Sequence, residues 1–257
     1  MLSVVIITKN EEKQIGKTLQ ALVGLSDDII IVDSGSTDNT IAVSKQFPVV
    51  TIMETVWLGY GATKNLGIEK AKYDWILSLD ADEVPDEKLK QSLDQINLEN
   101  KNIIYSITRE NYFCNKKIRF GEWSSDTHMR VFNRSMAKWN DAPVHEDLDV
   151  KPGIKVIKLE GKLKHYTSAD VNDYIEKTMN YARLHAEKNF KQGRKAGFIK
   201  LYIAPAFGFI KHYFIELGFL DGYEGYLIAK TTAWYGFLKY AYLRDLTRQA
   251  AANKHSG

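Results

Sequence analysis

The sequence is poor in cysteine and in long apolar runs, and each shortage argues against a class of protein. Cys114 is the only cysteine among the 257 residues, so no disulfide can form within the chain, which is typical of a reducing compartment. No stretch of about 18 uncharged apolar residues occurs, so we predict no transmembrane helix. The apolar run at residues 2–7 has no basic segment before it and ends too soon for a signal peptide. We therefore expect a cytoplasmic protein.

The chain also lacks an excess of charge of either sign. Its 35 basic and 32 acidic residues give a formal net charge of +3. A nucleic-acid-binding protein usually carries a concentrated basic stripe, so we expect no nucleic-acid partner. The length and the 44% hydrophobic content are those of a globular protein that can bury a core.

The first 98 residues alternate apolar, β-branched runs with segments that carry helix-start signals. The predicted strands are Leu2–Thr8, Asp28–Asp33, Val49–Glu54 and Trp75–Asp80. The predicted helices are one capped by Asn10 that ends near Val23, then Thr40–Gln46, Gly59–Ala71 and Asp86–Leu98. Strands that alternate with helices form a parallel sheet, in which ligands bind at the carboxyl ends of the strands. Thr8, Asp33 and Asp80 stand at such ends, so we expect them in one cleft.

The pattern changes after residue 98. Short β-like segments alternate with polar turns up to residue 166, which predicts mixed sheet and loops that cover the cleft, and residues 169–248 have a helical pattern. We therefore predict a domain over residues 1–166, with halves 1–98 and 99–166. A helical extension over 167–249 and a frayed tail over 250–257 would follow.

Two acidic residues give the strongest chemical signal. Asp80 and Asp82 follow the apolar strand that begins at Trp75, and side chains two residues apart lie on one face of a strand, roughly 7 Å apart. Such a pair is costly unless a cation lies beside it, and the natural partner is Mg²⁺ or Mn²⁺ that carries a phosphate-bearing substrate. The pattern indicates an enzyme that uses a nucleotide-linked donor; the alternative is a solvated acidic turn before Pro85.

Four motifs now stand in order at predicted strand ends or helix starts. They are Thr8-Lys9-Asn10-Glu11-Glu12, Ile31-Val32-Asp33-Ser34-Gly35-Ser36-Thr37-Asp38, Gly61-Ala62-Thr63-Lys64-Asn65 and Asp80-Ala81-Asp82-Glu83. In these motifs the chain resembles the family-two glycosyltransferases of the GT-A fold. Pro143-Val144-His145-Glu146 and Gly218-Phe219-Leu220-Asp221-Gly222 resemble, within that family, the lipopolysaccharide-core beta-1,4-glucosyltransferases.

The resemblance implies a fold and a metal-bound donor. The fold would be α/β, a GT-A (Rossmann-like), mostly parallel sheet flanked by helices, with a C-terminal helical extension. Asp80 would lie near the donor ribose and the metal, and Asp82 would bind the divalent cation that bridges the diphosphate of a UDP-sugar. His165, at the end of a short apolar segment, would be a third metal ligand by a weaker match.

The same resemblance assigns the donor contacts. Thr8, Asn10 and Glu11 would wrap the uridine, and Asp33 would accept a hydrogen bond from the uracil. The alternatives are that Asn10 caps a helix and that Asp33 caps the turn after it. Lys64, where the family more often has arginine, would contact the uracil carbonyl or the phosphates.

The half over residues 99–166 would form the acceptor side. Arg130 and Trp123 would form part of the acceptor wall, or Arg130 would contact a donor phosphate. Glu146 is the candidate general base, which removes the acceptor hydroxyl's proton in an inverting transfer. Asp147 is the alternative base, since the more general family pattern is Glu then Asp. His145 would orient the acceptor or the base, or else is a packed, hydrogen-bonded histidine.

The C-terminal third is rich in aromatic residues and lysines over 198–242. This composition is typical of helices that lie in a bilayer interface, and equally of helices that pack on the catalytic domain or on a second subunit. Both interpretations stay open. The first would place the protein on the cytoplasmic membrane, where a lipid-anchored acceptor is held.

We therefore predict a metal-dependent inverting glycosyltransferase. It would transfer glucose from UDP-glucose to a lipopolysaccharide-core or related glycolipid or oligosaccharide acceptor. The enzymatic alternative is a nucleotidyltransferase, but the loop after the first strand is acidic and has no glycine. A dinucleotide oxidoreductase would need a G-x-G-x-x-G there. The non-enzymatic alternative is a sugar-nucleotide-binding scaffold of the same fold without activity.

Overall fold

The structure is a computed structural model that describes residues 1–124, 126–142, 146–168 and 170–255. It divides into two compact units. The first unit comprises Met1–Glu110 and Ser125–Tyr166, and the second comprises Asn111–Ser124 and Thr167–Gly257. These bounds differ from the single cut that we predicted at residue 166, and the predicted domain division stays a prediction.

The first unit begins with alternating strands and helices. The strands are β1 (Ser3–Thr8), β2 (Ile29–Asp33), β3 (Val50–Glu54) and β4 (Trp75–Asp80). The helices are α1 (Ile15–Leu22), α2 (Thr40–Ser44), α3 (Tyr60–Lys70) and α4 (Glu87–Asp94). The four strands pair in parallel in the order β3-β2-β1-β4, as their buried, β-branched sequences predict.

The sheet continues beyond β4 through strands of another kind. The further strands of this sheet are β5 (Glu83–Pro85), β6 (Ile103–Phe113), β7 (Lys116–Lys117), β8 (Asp126–Asn133) and β11 (Lys155–Ser168). Strands β9 (Ala137–Trp139) and β10 (Leu148–Val150) pair with each other in a separate antiparallel sheet. The order continues β4-β8-β6-β11-β5, and the β4–β8, β6–β8 and β11–β5 pairs are antiparallel. The predicted α/β fold is confirmed, and the segments after residue 98 add antiparallel strands, so that the sheet is mixed there as predicted.

Both faces of β1, β2 and β4 are buried, whereas β3 at the edge of the sheet is partly exposed. Val4 and Ile6 pack in one cluster with Leu19 of α1, whereas Val5 and Ile7 pack in a second cluster with residues of α3 and β9. The second face is close-packed, since a Cβ added at Gly67 would lie 2.5 Å from a methyl carbon of Val5. Alternate residues of one strand therefore serve opposite faces, which explains the uninterrupted apolar run.

The helix predicted to begin at Asn10 begins later. Asn10 has a φ of 57° and lies in a loop, and α1 starts at Ile15 after Gln14. The side-chain Oδ1 of Asn10 instead accepts a hydrogen bond from the backbone N–H of Thr37 at 2.8 Å. The prediction that Asn10 caps this helix is wrong, because its polar atoms are used between loops.

The second unit is mostly helical. Its longest helices are α5 (Val171–Lys191) and α7 (Gly222–His255), and α6 (Ala204–Ile210) lies between two π-helical turns, Ile199–Ile203 and Lys211–Ile215. Helix α7 thus continues past residue 249, where we predicted a frayed tail to begin. In the described ranges no single helix is long and apolar enough to cross a membrane. One bent pair, Ile199–Ile215 with Gly218–Ala252 at 68°, has the required length and composition.

The glycine-rich motif at 218–222 has a structural role within the second unit. The carboxylate of Asp221 accepts hydrogen bonds from the backbone N–H groups of Arg119 and Phe120 at 2.9 and 2.8 Å. A Cβ added at Gly225 would lie 1.9 Å from the carbonyl oxygen of Gly218, so this approach requires glycine. The motif therefore fixes the turn that leads into α7.

Candidate functional site

The site is built at the carboxyl ends of β1, β2 and β4 in the first unit. Thr8 and Asp33 are register partners at the ends of β1 and β2, and Asp80 ends β4 beside Ile7. The predicted juxtaposition of Thr8, Asp33 and Asp80 along this edge follows directly from the parallel order of the strands.

Two loops at this edge are joined by hydrogen bonds. The backbone N–H groups of Asn10, Glu11 and Glu12 donate to side chains of the loop after β2, at 2.8, 2.8 and 3.1 Å respectively. In return, the carboxylate of Glu12 accepts from the backbone N–H of Asn39 at 2.9 Å. The two loops therefore form one wall, which contains the predicted donor contacts Asn10 and Glu11.

Asp33 is fully buried, and the turn after β2 uses its carboxylate. Its Oδ1 accepts from the backbone N–H groups of Gly35 and Ser36 at 3.0 and 2.8 Å. The turn-capping interpretation of Asp33 is thus visible in the structure, and its contact with a uracil ring stays a prediction.

Two hydroxyl groups at this edge are buried and unpaired among the residues that the structure describes. They are Oγ1 of Thr8 and Oγ of Ser34, whose residues are 5% and 4% exposed. Buried hydroxyls normally have a hydrogen-bond partner, so these two are available to a ligand with polar edges. Sequence analysis assigned no ligand contact to Ser34, since no local pattern separates a turn serine from a serine that binds a ligand.

Lys64 of α3 is the least expected member of the site. The residue is only 1% exposed, and its Nζ lies 2.7 Å from Oε1 of Glu146 and 3.1 Å from Oδ1 of Asp80. The ammonium also lies 4.5 Å from the centre of the Trp139 ring. One buried cation therefore joins the predicted base to the first aspartate of the acidic pair.

The backbone explains why Lys64 reaches both carboxylates. A Cβ added at Gly61, one turn before Lys64, would lie 1.8 Å from the carbonyl oxygen of Asn140. The side-chain amide of Asn65 donates to the carbonyl of Trp139 at 2.8 Å and accepts from its N–H at 3.2 Å. Helix α3 is thus held against the segment that leads to Glu146.

A second buried cation lies on the other side of Asp80. Arg130 is 4% exposed, its Nη2 forms an ion pair with Glu83, and it lies 3.3 Å from Oδ2 of Asp80. Glu83 is fully buried, and it also accepts from the backbone N–H of Asp80 at 3.0 Å. Sequence analysis missed Glu83 as a partner of Arg130, because 47 residues separate the two. Arg130 thus has a structural role, and its predicted contact with donor or acceptor stays a prediction.

The two cations determine the charge of Asp80. Burial alone would raise the pKa of this carboxyl, but attraction to Lys64 and Arg130 outweighs it and holds the pKa well below its usual range. Burial likewise opposes the charge of Arg130, but Glu83 and Asp80 raise its pKa. Asp80 is therefore ionised at neutral pH, as a metal ligand must be.

Asp82 and His165 are in contact, as the metal prediction requires of them. Nε2 of His165 lies 3.3 Å from Oδ2 of Asp82. Burial lowers the pKa of His165, but attraction to Asp82 more than compensates and raises it. In the described ranges no three His, Cys, Asp or Glu side chains are placed to hold a metal ion by themselves. The protein therefore offers an incomplete ligand set, and the metal roles stay predictions.

The predicted acceptor residues are only partly described. His145 lies outside the described residues. Asp147 is exposed, and its Oδ1 accepts from the backbone N–H of Leu148 at 2.8 Å. Trp123 belongs to the second unit, where its ring packs edge-on against Phe113 and Tyr174.

Comparison with known proteins fits this architecture. Residues 3–147 match the family described as Glycosyl transferase family 2. The chain belongs to this family, so the prediction of a glycosyltransferase is confirmed. The match includes both strand-end loops, the acidic pair and Glu146.

Relatives match nearly the whole chain. A glycosyltransferase of Rickettsia prowazekii is 28% identical over 96% of this chain and 87% of its own length. The lipopolysaccharide core biosynthesis glycosyltransferase LpsC of Rhizobium meliloti is 29% identical over 92% of this chain and 89% of its own length. A mannosyltransferase of Pyrobaculum calidifontis, solved with GDP-Man and Mn²⁺, has a TM-score of 0.52 and 14% identity. It covers 94% of this chain and 86% of its own, and at that identity it shows a shared fold.

Proposed function

We propose that this glycosyltransferase catalyses a metal-dependent, inverting transfer of a hexose, with UDP-glucose as donor, to a lipopolysaccharide-core or related glycoconjugate acceptor. One observation carries the proposal: the buried ammonium of Lys64 joins Asp80 of the acidic pair to the candidate base Glu146. Groups for the donor and for the acceptor hydroxyl thus meet at one point. The acceptor class is supported by the similarity to LpsC, a lipopolysaccharide core biosynthesis glycosyltransferase.

A divalent cation fits the acidic pair. Mg²⁺ is usually held by one or two carboxylates together with substrate phosphates, so a site without a third protein ligand is suited to a metal–diphosphate complex. Asp82 and Asp80 would hold the ion, with His165 beside Asp82. When bound, such an ion would stabilise the charge that develops on the leaving nucleoside diphosphate.

The wall formed by the two joined loops would bind the nucleoside. The free hydroxyls of Thr8 and Ser34 can pair with polar edges of a base or ribose, since they have no partner among the described residues. Asn10, Glu11 and Asp33 border the same edge through the hydrogen bonds described above.

Glu146 would act as the general base. Its carboxylate would take the proton of the acceptor hydroxyl while that oxygen forms a bond to the anomeric carbon and the bond to the diphosphate breaks on the opposite face. Asp147 is a weaker candidate, since its carboxylate is exposed and caps the next backbone N–H. The predicted role of His145 in orienting the acceptor or the base stays a prediction.

Lys64 would act as a positioning residue for this base. With its Nζ 2.7 Å from Oε1 of Glu146, it restrains the position of the carboxylate. Its predicted contact with the uracil or the phosphates would require the ammonium to exchange one carboxylate partner for the donor.

The test is release of UDP from a panel of UDP-sugars, with and without Mn²⁺ and a candidate acceptor. We expect Glu146→Gln to abolish turnover and to leave metal-dependent UDP binding intact, and Asp147→Asn to retain turnover. The reverse result would move the base to residue 147. Absence of metal-dependent UDP binding in the unaltered protein would favour the inactive scaffold instead.

A cytoplasmic, membrane-peripheral location would suit a lipid-anchored acceptor. The exposed aromatic and aliphatic side chains within residues 198–242 of the second unit support it. Sedimentation of the protein with lipid vesicles tests this location independently of catalysis.

A further inference from the structure

The second unit carries an apolar surface that the proposed chemistry does not use. Between residues 198 and 220, large apolar side chains are exposed along almost the whole segment, by 42–70%. The series includes Phe198, Ile199, Phe207, Phe214 and Ile215. A run of exposed apolar side chains of this length is typical of an interaction site, because isolated exposure of single residues is the usual pattern.

The exposed side chains lie on the outer side of a helical stretch whose other side is packed. Leu201, within the same helical stretch, is only 4% exposed. Pro205 at the start of α6 faces Gly236 of α7, where an added Cβ would lie 3.8 Å from the proline ring. One side of this stretch therefore packs against α7, and the other side is exposed.

The charges around this surface are mostly positive, and Glu216, the acidic residue within 198–220, contacts Lys211 and His212. Residues 188–215 include six lysines and arginines and no aspartate or glutamate. Of these cations, Lys191, Arg194, Lys195 and Lys200 are exposed and precede or enter the apolar series. Apolar and aromatic side chains bordered by cations are typical of helices that lie in the interface of an anionic bilayer.

A second copy of the chain fits this surface less well. A symmetric dimer would place the same patch of both subunits face to face, which would bring two sets of unbalanced cations together. Anionic lipid headgroups complement these cations, and each lysine or arginine near such a surface strengthens binding about fivefold.

Most of α7 packs beneath this surface and is not part of it. Over residues 226–242 only Tyr226 and Trp234 are exposed large apolar residues, whereas Ile228 and Ala229 are 3% and 1% exposed. The contact region is therefore narrower than the 198–242 range that composition alone indicates.

We propose that residues 198–220 dock into the interface of an anionic bilayer, with the cations of 191–200 against lipid phosphates and α7 as the support. The proposal deepens the membrane location given above, and it is independent of the transfer chemistry. It assigns to one segment of the chain both the apolar side chains that enter the bilayer and the cations that contact the anionic headgroups.

The experiment is sedimentation of the full-length protein with phosphatidylcholine vesicles that contain or lack phosphatidylglycerol. We expect binding to the anionic vesicles and much weaker binding to the neutral ones. Phe207→Ser with Phe214→Ser should weaken binding by at least roughly tenfold, because two rings that would enter the bilayer are lost. Arg194→Gln with Lys195→Gln should weaken it by up to about 25-fold, and only on anionic vesicles.

The matched control is Met179→Ser with Leu184→Ser, which removes two apolar residues of α5 that are 37% and 52% exposed. This control should bind like the unaltered protein, and circular dichroism of every variant checks its fold. The proposal would be overturned if the protein bound neutral and anionic vesicles equally, or if Phe207→Ser with Phe214→Ser left binding unchanged. The proposal would also be overturned if the protein formed a dimer without lipid and Phe207→Ser with Phe214→Ser abolished that dimer. Metal-dependent UDP binding, titrated in parallel, shows whether the proposed reaction stands or fails separately.

Discussion

Replacement of Lys64 by methionine removes the ammonium but keeps most of the apolar stem. Glu146 and Asp80 would then face each other without the cation 2.7 and 3.1 Å away from them. Breaking a buried ion pair costs about 3–5 kcal/mol because a charge is left uncompensated. The side chains of Asp80 and Glu146 are 29% and 14% exposed, so water screens part of the loss and we expect the lower end, about 3 kcal/mol.

The assay is urea unfolding followed by circular dichroism, with Lys72→Met as the control. That variant removes the same charge from an exposed ion pair with Asp27, whose two side chains are 57% and 51% exposed, so its unfolding midpoint should hardly move. Mn²⁺ should restore part of the stability of Lys64→Met, because it returns positive charge to Asp80. Equal midpoints for the two variants would refute the account of Lys64.

Three further changes test other parts of the structure. Asp82→Ala should reduce the affinity for Mn²⁺ in the presence of UDP and abolish transfer with an unchanged circular dichroism spectrum; retained activity at saturating Mn²⁺ would refute the metal role. Arg130→Met should destabilise the protein by about 3 kcal/mol in urea, since it leaves the buried Glu83 carboxylate with only the more distant Arg109, at 3.9 Å, as a cationic partner, and adding Glu83→Gln should recover part of the loss. No recovery in the double variant would show that the pair is not coupled. Gly225→Ala should lower the thermal unfolding temperature, because its Cβ would meet the carbonyl oxygen of Gly218; an unchanged temperature would contradict the close approach.

The parallel half of the sheet could be predicted because its signal is local. Continuous β-branched runs such as Ile29–Asp33 indicate strands buried on both faces, and the alternation with helices fixes their parallel direction. The same logic placed Thr8, Asp33 and Asp80 at one edge. The antiparallel half was less predictable, since short apolar segments do not reveal how far a strand extends or which neighbour it pairs with.

The partners of the site residues could not be predicted from the local sequence. Asn10 has the residue type of a helix cap, but a loop 27 residues away provides its partner. A lysine is normally solvated, and nothing near Lys64 in the sequence indicates that it is buried between two carboxylates. Glu83 completes the acidic motif, yet its buried partner Arg130 comes from β8. Such pairings depend on tertiary packing, so sequence could name most of the residues but not their partners.

The central claim is that Asp80 and Asp82 hold the metal ion of a nucleotide-sugar donor, within reach of Glu146. The most direct test is a crystal structure with Mn²⁺ and a UDP-sugar, in which anomalous scattering locates the ion. We predict a peak in contact with the Asp82 carboxylate and the diphosphate, on the side of Asp80. An ion bound elsewhere, with the diphosphate away from this pair, would contradict the account.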